Sequence, residues 1–360
     1  MLSIQEVHLD ELLSRAYERR ATDVHLTVGL PPMVRIDGEL QPTEYDALTP
    51  HDTQRLVYDI LTDGQIERFE QTHELDMSYP VPQVARFRFN IYRQRGSVGG
   101  AARSIPTEIP DLEELSLPPI LRDLTQRNSG LILVTGPTGS GKSTSLASMV
   151  NIINESRPLH IVTIENPIEY LHRHKRAMVN QREIGTDTDS FSIALRSALR
   201  EDPDVILVGE MRDLETIENA LIAAETGHLV FATLHTRNAP QAIDRIIDVF
   251  PAQQQEQIRV MLANTVEAVV AQRLLARLGA PGRIPSIEIM VATSAIRNLI
   301  REAKTHLMMG AIEIGGEYGM QTMDRSLAEL FMGGLISRQD AIMNCMDHEN
   351  FERMIRGYAL

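Results

Sequence analysis

The stretch Gly136-Pro-Thr-Gly-Ser-Gly141-Lys142-Ser143-Thr144 constrains this chain more than any other. It satisfies G-x-x-x-x-G-K-[ST], follows the apolar run Leu131–Val134 and precedes a helical pattern. A buried strand that ends here must turn tightly and wrap its N–H groups around an anion, a curvature that glycine permits. The next helix then points the positive end of its dipole at the same anion. Lys142 is expected at the β- and γ-phosphates of ATP and the Ser143 hydroxyl at Mg²⁺. Gly136, Pro137, Thr138, Gly139, Ser140, Gly141 and Thr144 complete the expected cradle. An ordinary glycine-rich turn is the alternative, and the strand–loop–helix setting argues against it.

At 360 residues, with 43% hydrophobic and 23% charged residues, the chain has material for two globular domains. The lone Cys345 excludes an intramolecular disulfide framework and fits a reducing cytosol. No run approaches the roughly 18 apolar residues that span a bilayer, and Met1–Asp10 carries acids in place of a basic signal region. Direct membrane insertion is therefore not expected. A formal net charge of −14 weighs against nucleic acid as a partner, because phosphate contacts need a cationic face.

Leu9, Leu12, Leu13 and Ala16 are spaced as an amphipathic helix. Strand-like runs follow near Val24–Thr27 and Met33–Ile36, the second ending at the turn pair Asp37-Gly38. Phe87, Phe89 and Ile91 alternate with Arg86, Arg88 and Asn90, a half-buried strand with a basic outer face. Residues 1–103 thus read as a small α+β domain. Pro106, Pro110, Pro118 and Pro119 interrupt regular structure, so residues 104–120 read as the interdomain linker. From about Gly130, the buried runs Leu131–Val134, His160–Ile164, Val205–Val208 and Leu229–Leu234 alternate with helical patterns. One of these helices presents Leu214, Ile217, Leu221 and Ala224, with Gly227 ready to end it. This second domain, residues 121–360, reads as an α/β sheet with its ligand at the carboxyl ends of the strands. Beyond Pro251 the periodicity reads as mostly helical, with breaks at Gly279–Gly282 and Gly315-Gly316.

Residues that follow the strands should meet the phosphates. Glu165 is expected to face Mg²⁺ through water, or the attacking water itself; a solvated loop acid is the alternative. Glu169 either supports the site or compensates a helix terminus. Four apolar residues lead to Gly209-Glu210, with glycine where a metal-binding aspartate often sits. Glu210 is left to polarise water for attack on the γ-phosphorus, unless it only pairs with Arg212 or Lys142. His235 ends its strand near the γ-phosphate, whereas His228 begins it and reads as structural or subunit-facing. Arg86, Arg88, Arg93, Arg95 and Arg103 form either a solvated basic face or fingers for a neighbouring subunit's nucleotide.

In this order, the phosphate loop, Thr163-Ile-Glu-Asn-Pro-Ile-Glu169, Glu201–Asp213 and the segment ending His235-Thr236 resemble the secretion ATPases. Ala295-Ile-Arg-Asn-Leu-Ile-Arg-Glu302, Ala223–Phe231 and Gly319–Asp324 resemble the type IV pilus retraction group among them. The acid segment departs from the group's usual Glu-Asp-Pro at Asn166, which removes one charge near the metal. The resemblance implies a PAS-like N-terminal domain and a RecA-like P-loop ATPase domain with a helical C-terminal portion. It also implies a homo-hexamer in the cytoplasm, at the inner-membrane face of the pilus base. Arg86, Arg88 and Arg95 would then act across subunits, and an inner-membrane platform protein, with a possible second pilus motor, would be the partners. A pilus extension or secretion motor is the alternative within the superfamily, and a four-cysteine zinc element that those motors carry is missing here. A nucleic-acid translocase or a non-hydrolysing regulator fits the acidic balance and the intact Glu165 and Glu210 less well.

Overall fold

Why the N-terminal segment folds as it does is visible in its first helix. In the computed structural model, which describes residues 3–36, 38–106 and 108–356, Leu9–Glu18 is helical and buries Leu9, Leu12, Leu13 and Ala16 on one stripe. Helices Pro50–Tyr58 and Asp63–Thr72 each start with a capping box, Thr49 with Asp52 and Thr62 with Gln65, which satisfies otherwise orphaned N–H groups. Around them run β1 (Asp23–Leu26), β2 (Met33–Ile36), β3 (Glu39–Pro42), β4 (Glu74–Val81), β5 (Ala85–Gln94) and β6 (Ser97–Ile105). They form an antiparallel sheet of order β3-β2-β1-β6-β5-β4. On β5, Phe87, Phe89 and Ile91 point into the core. The unit is α+β, as expected of a PAS-like domain. Asp37 of the expected turn lies outside the described residues; Gly38 has φ 88°.

The chain divides into two compact units, with the second starting at Ile109 and the short piece Glu169–Leu171 grouped with the first. The proline-rich stretch is shared between them: β6 extends to Ile105, whereas Leu112 and Leu117 are buried in the core of the second unit.

The second unit carries β7 (Gly130–Thr135), β8 (His160–Glu165), β9 (Met178–Glu183), β10 (Val205–Val208), β11 (Leu229–Leu234), β12 (Val266–Ala276) and β13 (Arg283–Val291). Their order is β13-β12-β7-β11-β10-β8-β9, with every pairing parallel except β12–β13. Successive residues of β7 serve opposite faces: Leu131 and Leu133 join one core, Ile132 and Val134 the other. That is why the strand reads as a continuous apolar run. The helix Leu214–Glu225 buries Ile217, Leu221 and Ala224, and Gly227 follows its cap at φ 109°.

One expectation holds only in part. The region beyond Pro251 is helical over Gln255–Thr265 and again from Ser294, but between these β12 and β13 form a long hairpin that extends the sheet on the β7 side. Gly279 and Gly282, at φ 71° and 95°, lie in the connection. Val266–Ala271 is buried on both faces apart from Glu267, so its apolar run shows no period that separates strand from helix. Pairing with β7 decides it. Helices follow from Ser294, and a further core joins Ala271, Leu275 and Ile284 to Met323, Leu327 and Phe351.

Candidate functional site

Six parallel strands deliver their carboxyl ends to one edge of the sheet, and the phosphate loop leaves β7, between β12 and β11. Gly136, Gly139 and Gly141 have φ of 146°, 79° and 86°, in which only glycine is at ease. A Cβ on Gly136 would lie 2.3 Å from the Gln272 carbonyl oxygen and 2.7 Å from Ser140 Oγ. One on Gly141 would lie 2.9 Å from Gln272 Nε2, whereas none would touch anything at Gly139. The loop is therefore seated on β12 at Gln272. Ser145 Oγ donates to Gln272 Oε1 at 2.8 Å and fastens the following helix, Lys142–Ser156, to the same strand. Lys142 Nζ donates to the carbonyls of Gly136 (2.8 Å) and Pro137 (3.1 Å). Ser140 Oγ is buried and has no protein partner, the kind of donor that a phosphate oxygen satisfies.

The acids come from the neighbouring strand ends. Glu165 accepts from Thr163 Oγ1 at 2.7 Å and from Gln181 Nε2 on β9 at 3.1 Å. Gly209 is explained by crowding: a Cβ there would lie 3.0 Å from the Ile164 carbonyl oxygen and 3.3 Å from the Glu165 Cα. Glu210 Oε1 stands 2.9 Å from His235 Nε2 and also accepts from Arg212 Nε. Burial pushes the Glu210 carboxyl up, but Arg212 and His235 outweigh it and hold the group below its ordinary value. Thr135 Oγ1 at 2.7 Å from the Thr236 carbonyl ties the start of the loop to the segment after β11. The structure thus unites the loop, Glu210 and His235 at one sheet edge. It places His228 away from them, with its Nδ1 2.9 Å from the Ala223 carbonyl. Glu169 is exposed. Arg86, Arg88 and Arg95 belong to the N-terminal unit: Arg86 donates to Ser78 Oγ, Arg88 is exposed on β5, and Arg95 is exposed with φ 51°. Arg93 and Arg103 are paired with Glu70 and Asp23.

Sequence reasoning missed what β12 and β13 contribute. Gln272 and Arg273 follow the buried run of β12, Gln272 itself buried and Arg273 half-buried, and Arg283 on β13 donates to the Gly139 carbonyl at 3.3 Å. A polar pair directly after the buried run Ala268–Ala271 was the available signal. Two clefts flank the loop. One, of about 460 Å³, is lined by Thr138, Ser140, His235, Arg237, Arg273 and Asn344. The other, of about 260 Å³, has Leu115, Leu117, Leu274 and Pro285 as apolar walls beside Thr144 and Arg277.

Glu288 on β13 is fully buried; its Oε1 accepts from the Ala239 N–H at 2.7 Å, four residues after His235, and Oε2 has no partner. Burial raises this carboxyl to about 7. A carboxyl raised on folding holds more protons folded than unfolded, so it costs stability as pH climbs from the ordinary carboxylate range through about 7. Glu288→Gln keeps the acceptor and removes the charge. It is expected to change stability little near pH 4 and to raise it by up to about 3 kcal/mol near pH 8. The pH dependence of Tm for both proteins measures this.

Residues 111–316 match the family of type II/IV secretion system proteins. The chain belongs to that family. Within it the chain falls in the PilT group. It is 50% identical over 343 residues to the type IV pilus retraction ATPase PilT of Pseudomonas aeruginosa, which covers 95% of this chain and 99% of the relative. A twitching motility protein of Neisseria gonorrhoeae is 47% identical over 319 residues, 89% of this chain and 85% of its own. Among solved structures, the pilus retraction motor PilT with bound ADP superposes with a TM-score of 0.91 at 49% identity, covering 97% of this chain and all (100%) of that one. This likeness bears out the two-domain fold and the recognition made from the motifs.

The helix Ser294–Arg301 carries all but the last residue of Ala295–Glu302, the motif that pointed to the retraction group. It buries Ile296 and Ile300, and Arg297 donates to the carbonyls of Ala263 (2.7 Å) and Asn264 (2.9 Å) at the end of the helix Gln255–Thr265. Arg297 also pairs with Glu267 at 2.6 Å. This arginine holds the fold, and Ala295, Asn298, Arg301 and Glu302 are the exposed members of the motif.

Proposed function

We propose that this chain is an ATP-hydrolysing motor that powers type IV pilus retraction, working as a ring of six copies. The observation that carries the reading is half identity to a retraction ATPase over nearly its whole length, joined to an intact phosphate loop with Glu210 and His235 beside it. ATP phosphates rest on the N–H groups of Gly139–Thr144 and the Lys142 ammonium, where helix dipole and charge favour them. The apolar-walled cleft beside Thr144 takes the base. Ser143, with Glu165 through water, would hold Mg²⁺, an ion that takes few protein oxygens and keeps its waters and phosphates. When bound, it neutralises charge on the β- and γ-phosphates. Glu210 accepts a proton from the water that attacks the γ-phosphorus; the bond to the β-phosphate oxygen breaks, and ADP and phosphate result. His235 orients the Glu210 carboxylate.

Arg86, Arg88 and Arg95 are proposed to reach the nucleotide of a neighbouring copy. A closed ring with heterologous contacts lets sites fire in turn. The proposed place of work is the cytoplasmic face of the inner membrane, against the platform protein at the pilus base, with a second pilus motor as a further partner. Among the described residues no helix is long and apolar enough to cross a membrane. Deleting the gene tests the reading: excess surface pili without twitching are expected. Absent pili would assign extension instead, and normal pili with normal movement would overturn the assignment.

A further inference from the structure

Two arginines face the first half of the phosphate loop without a carboxylate to pair with. Arg273, near the middle of β12, is half-buried; its Nη1 donates to the Asn344 carbonyl at 2.6 Å and its Nη2 lies 3.4 Å from the Met346 sulfur. Arg237, two residues beyond His235, lines the same cleft with an exposed side chain. Among the described residues neither guanidinium is ion-paired. Burial, and then the charge of Arg237, lower the proton affinity of Arg273, so the two cations oppose each other. Glu288 and Asp324 pull the other way from beyond ion-pairing distance, but burial pushes both of those carboxyls up. Among the described residues, then, neither guanidinium has a carboxylate at ion-pairing distance. Such a pair seeks a multiply charged oxyanion, and the guanidinium fork matches tetrahedral oxygens. The partnerless Ser140 hydroxyl belongs to the same cleft.

We propose that Arg237 and Arg273 form, within one subunit, a subsite for a terminal phosphoryl oxyanion, with Asn344 as the anchor that positions Arg273. The subsite takes the γ-phosphoryl group of bound ATP or the phosphate released from it. The inference rests on the nucleotide reading of the loop, and it gives the C-terminal turn at Asn344 a part in the site. That turn is fixed from its far side, where the Asp324 carboxylate accepts from the N–H groups of Met346 (2.6 Å) and Asp347 (2.8 Å).

The test uses the full chain and three probes: ADP, the non-hydrolysable analogue AMP-PNP, and inorganic phosphate added to the ADP-loaded protein. Binding of ADP by the unaltered chain checks the loop reading independently of the subsite. Arg273→Gln and Arg237→Gln are expected to keep ADP affinity and to weaken AMP-PNP, phosphate or both by roughly tenfold or more. Arg273→Lys should restore part of the loss, since it returns the charge but not the fork. Weakening of AMP-PNP alone makes the nucleotide's own γ-group the occupant; weakening of phosphate as well makes the leaving phosphate a second occupant. Unchanged AMP-PNP and phosphate binding in both glutamine variants would overturn the subsite while leaving the nucleotide site intact. Equal loss of ADP and AMP-PNP in Arg273→Gln, with Arg237→Gln unaffected, would also overturn it, by showing that Arg273 only supports the loop.

Discussion

Glu210→Gln lowers the rate of phosphate release by about 10²–10⁴-fold while ADP binding stays close to that of the parent. The amide is the same size as the carboxylate, and its oxygen can still accept from His235 and Arg212, so the geometry at the end of β10 is preserved. What is lost is the ability to take a proton from the attacking water. Single-turnover phosphate release and calorimetric titration with ADP separate the two effects. Near-normal release would move the proton-accepting role to Glu165, the other acid at this edge of the sheet. The pH profile carries a second signature of the same group. Because Arg212 and His235 hold Glu210 below its ordinary value, the carboxylate stays charged at neutral pH and activity should fall only at low pH. Arg212→Ala leaves burial less opposed, raises the carboxyl, and should move the acid limb of kcat to higher pH.

Gly136→Ala is expected to abolish measurable ADP binding and to lower stability by about 2–4 kcal/mol. Two costs coincide at this position. The backbone sits at φ 146°, and the new methyl group would press on the Gln272 carbonyl oxygen from 2.3 Å. That oxygen belongs to the backbone of β12, which is paired with β7 on one side and β13 on the other, so it has little room to yield. The loop would have to lift from the strand and lose its inward-facing N–H groups. Gly139→Ala is the control, because a Cβ there meets nothing within 4 Å and only its φ of 79° is unfavourable. Thermal unfolding and ADP titration of both variants measure the difference. Normal ADP affinity in Gly136→Ala would mean that the loop binds phosphate without resting on β12.

Residues in the phosphate loop were legible because each has one steric or chemical task that few side chains perform. Glu165, Glu210 and His235 were legible as soon as their apolar runs were read as parallel strands, since strand ends in such a sheet share an edge. Gly209 was visible as an oddity; its reason, the close approach of Ile164 and Glu165, was not. The second half of the site stayed hidden. Val266–Ala271 offers no hydrophobic period, and with β12 misread as helix, Gln272 and Arg273 had no reason to lie near Gly136. Arg297 shows the reverse case. A motif tied to retraction by resemblance contains a residue whose bonds to Ala263, Asn264 and Glu267 are structural.

The order of residues by itself determined the kind of ligand, the two-part organisation and the acids at the strand ends, since local periodicity and turn chemistry encode these within a few residues. Only the tertiary structure decided which strand supports the phosphate loop and which arginines face it. Those depend on pairing between segments more than a hundred residues apart, as between Gly136 and Gln272, and side chains brought together by pairing leave no periodic trace along the chain.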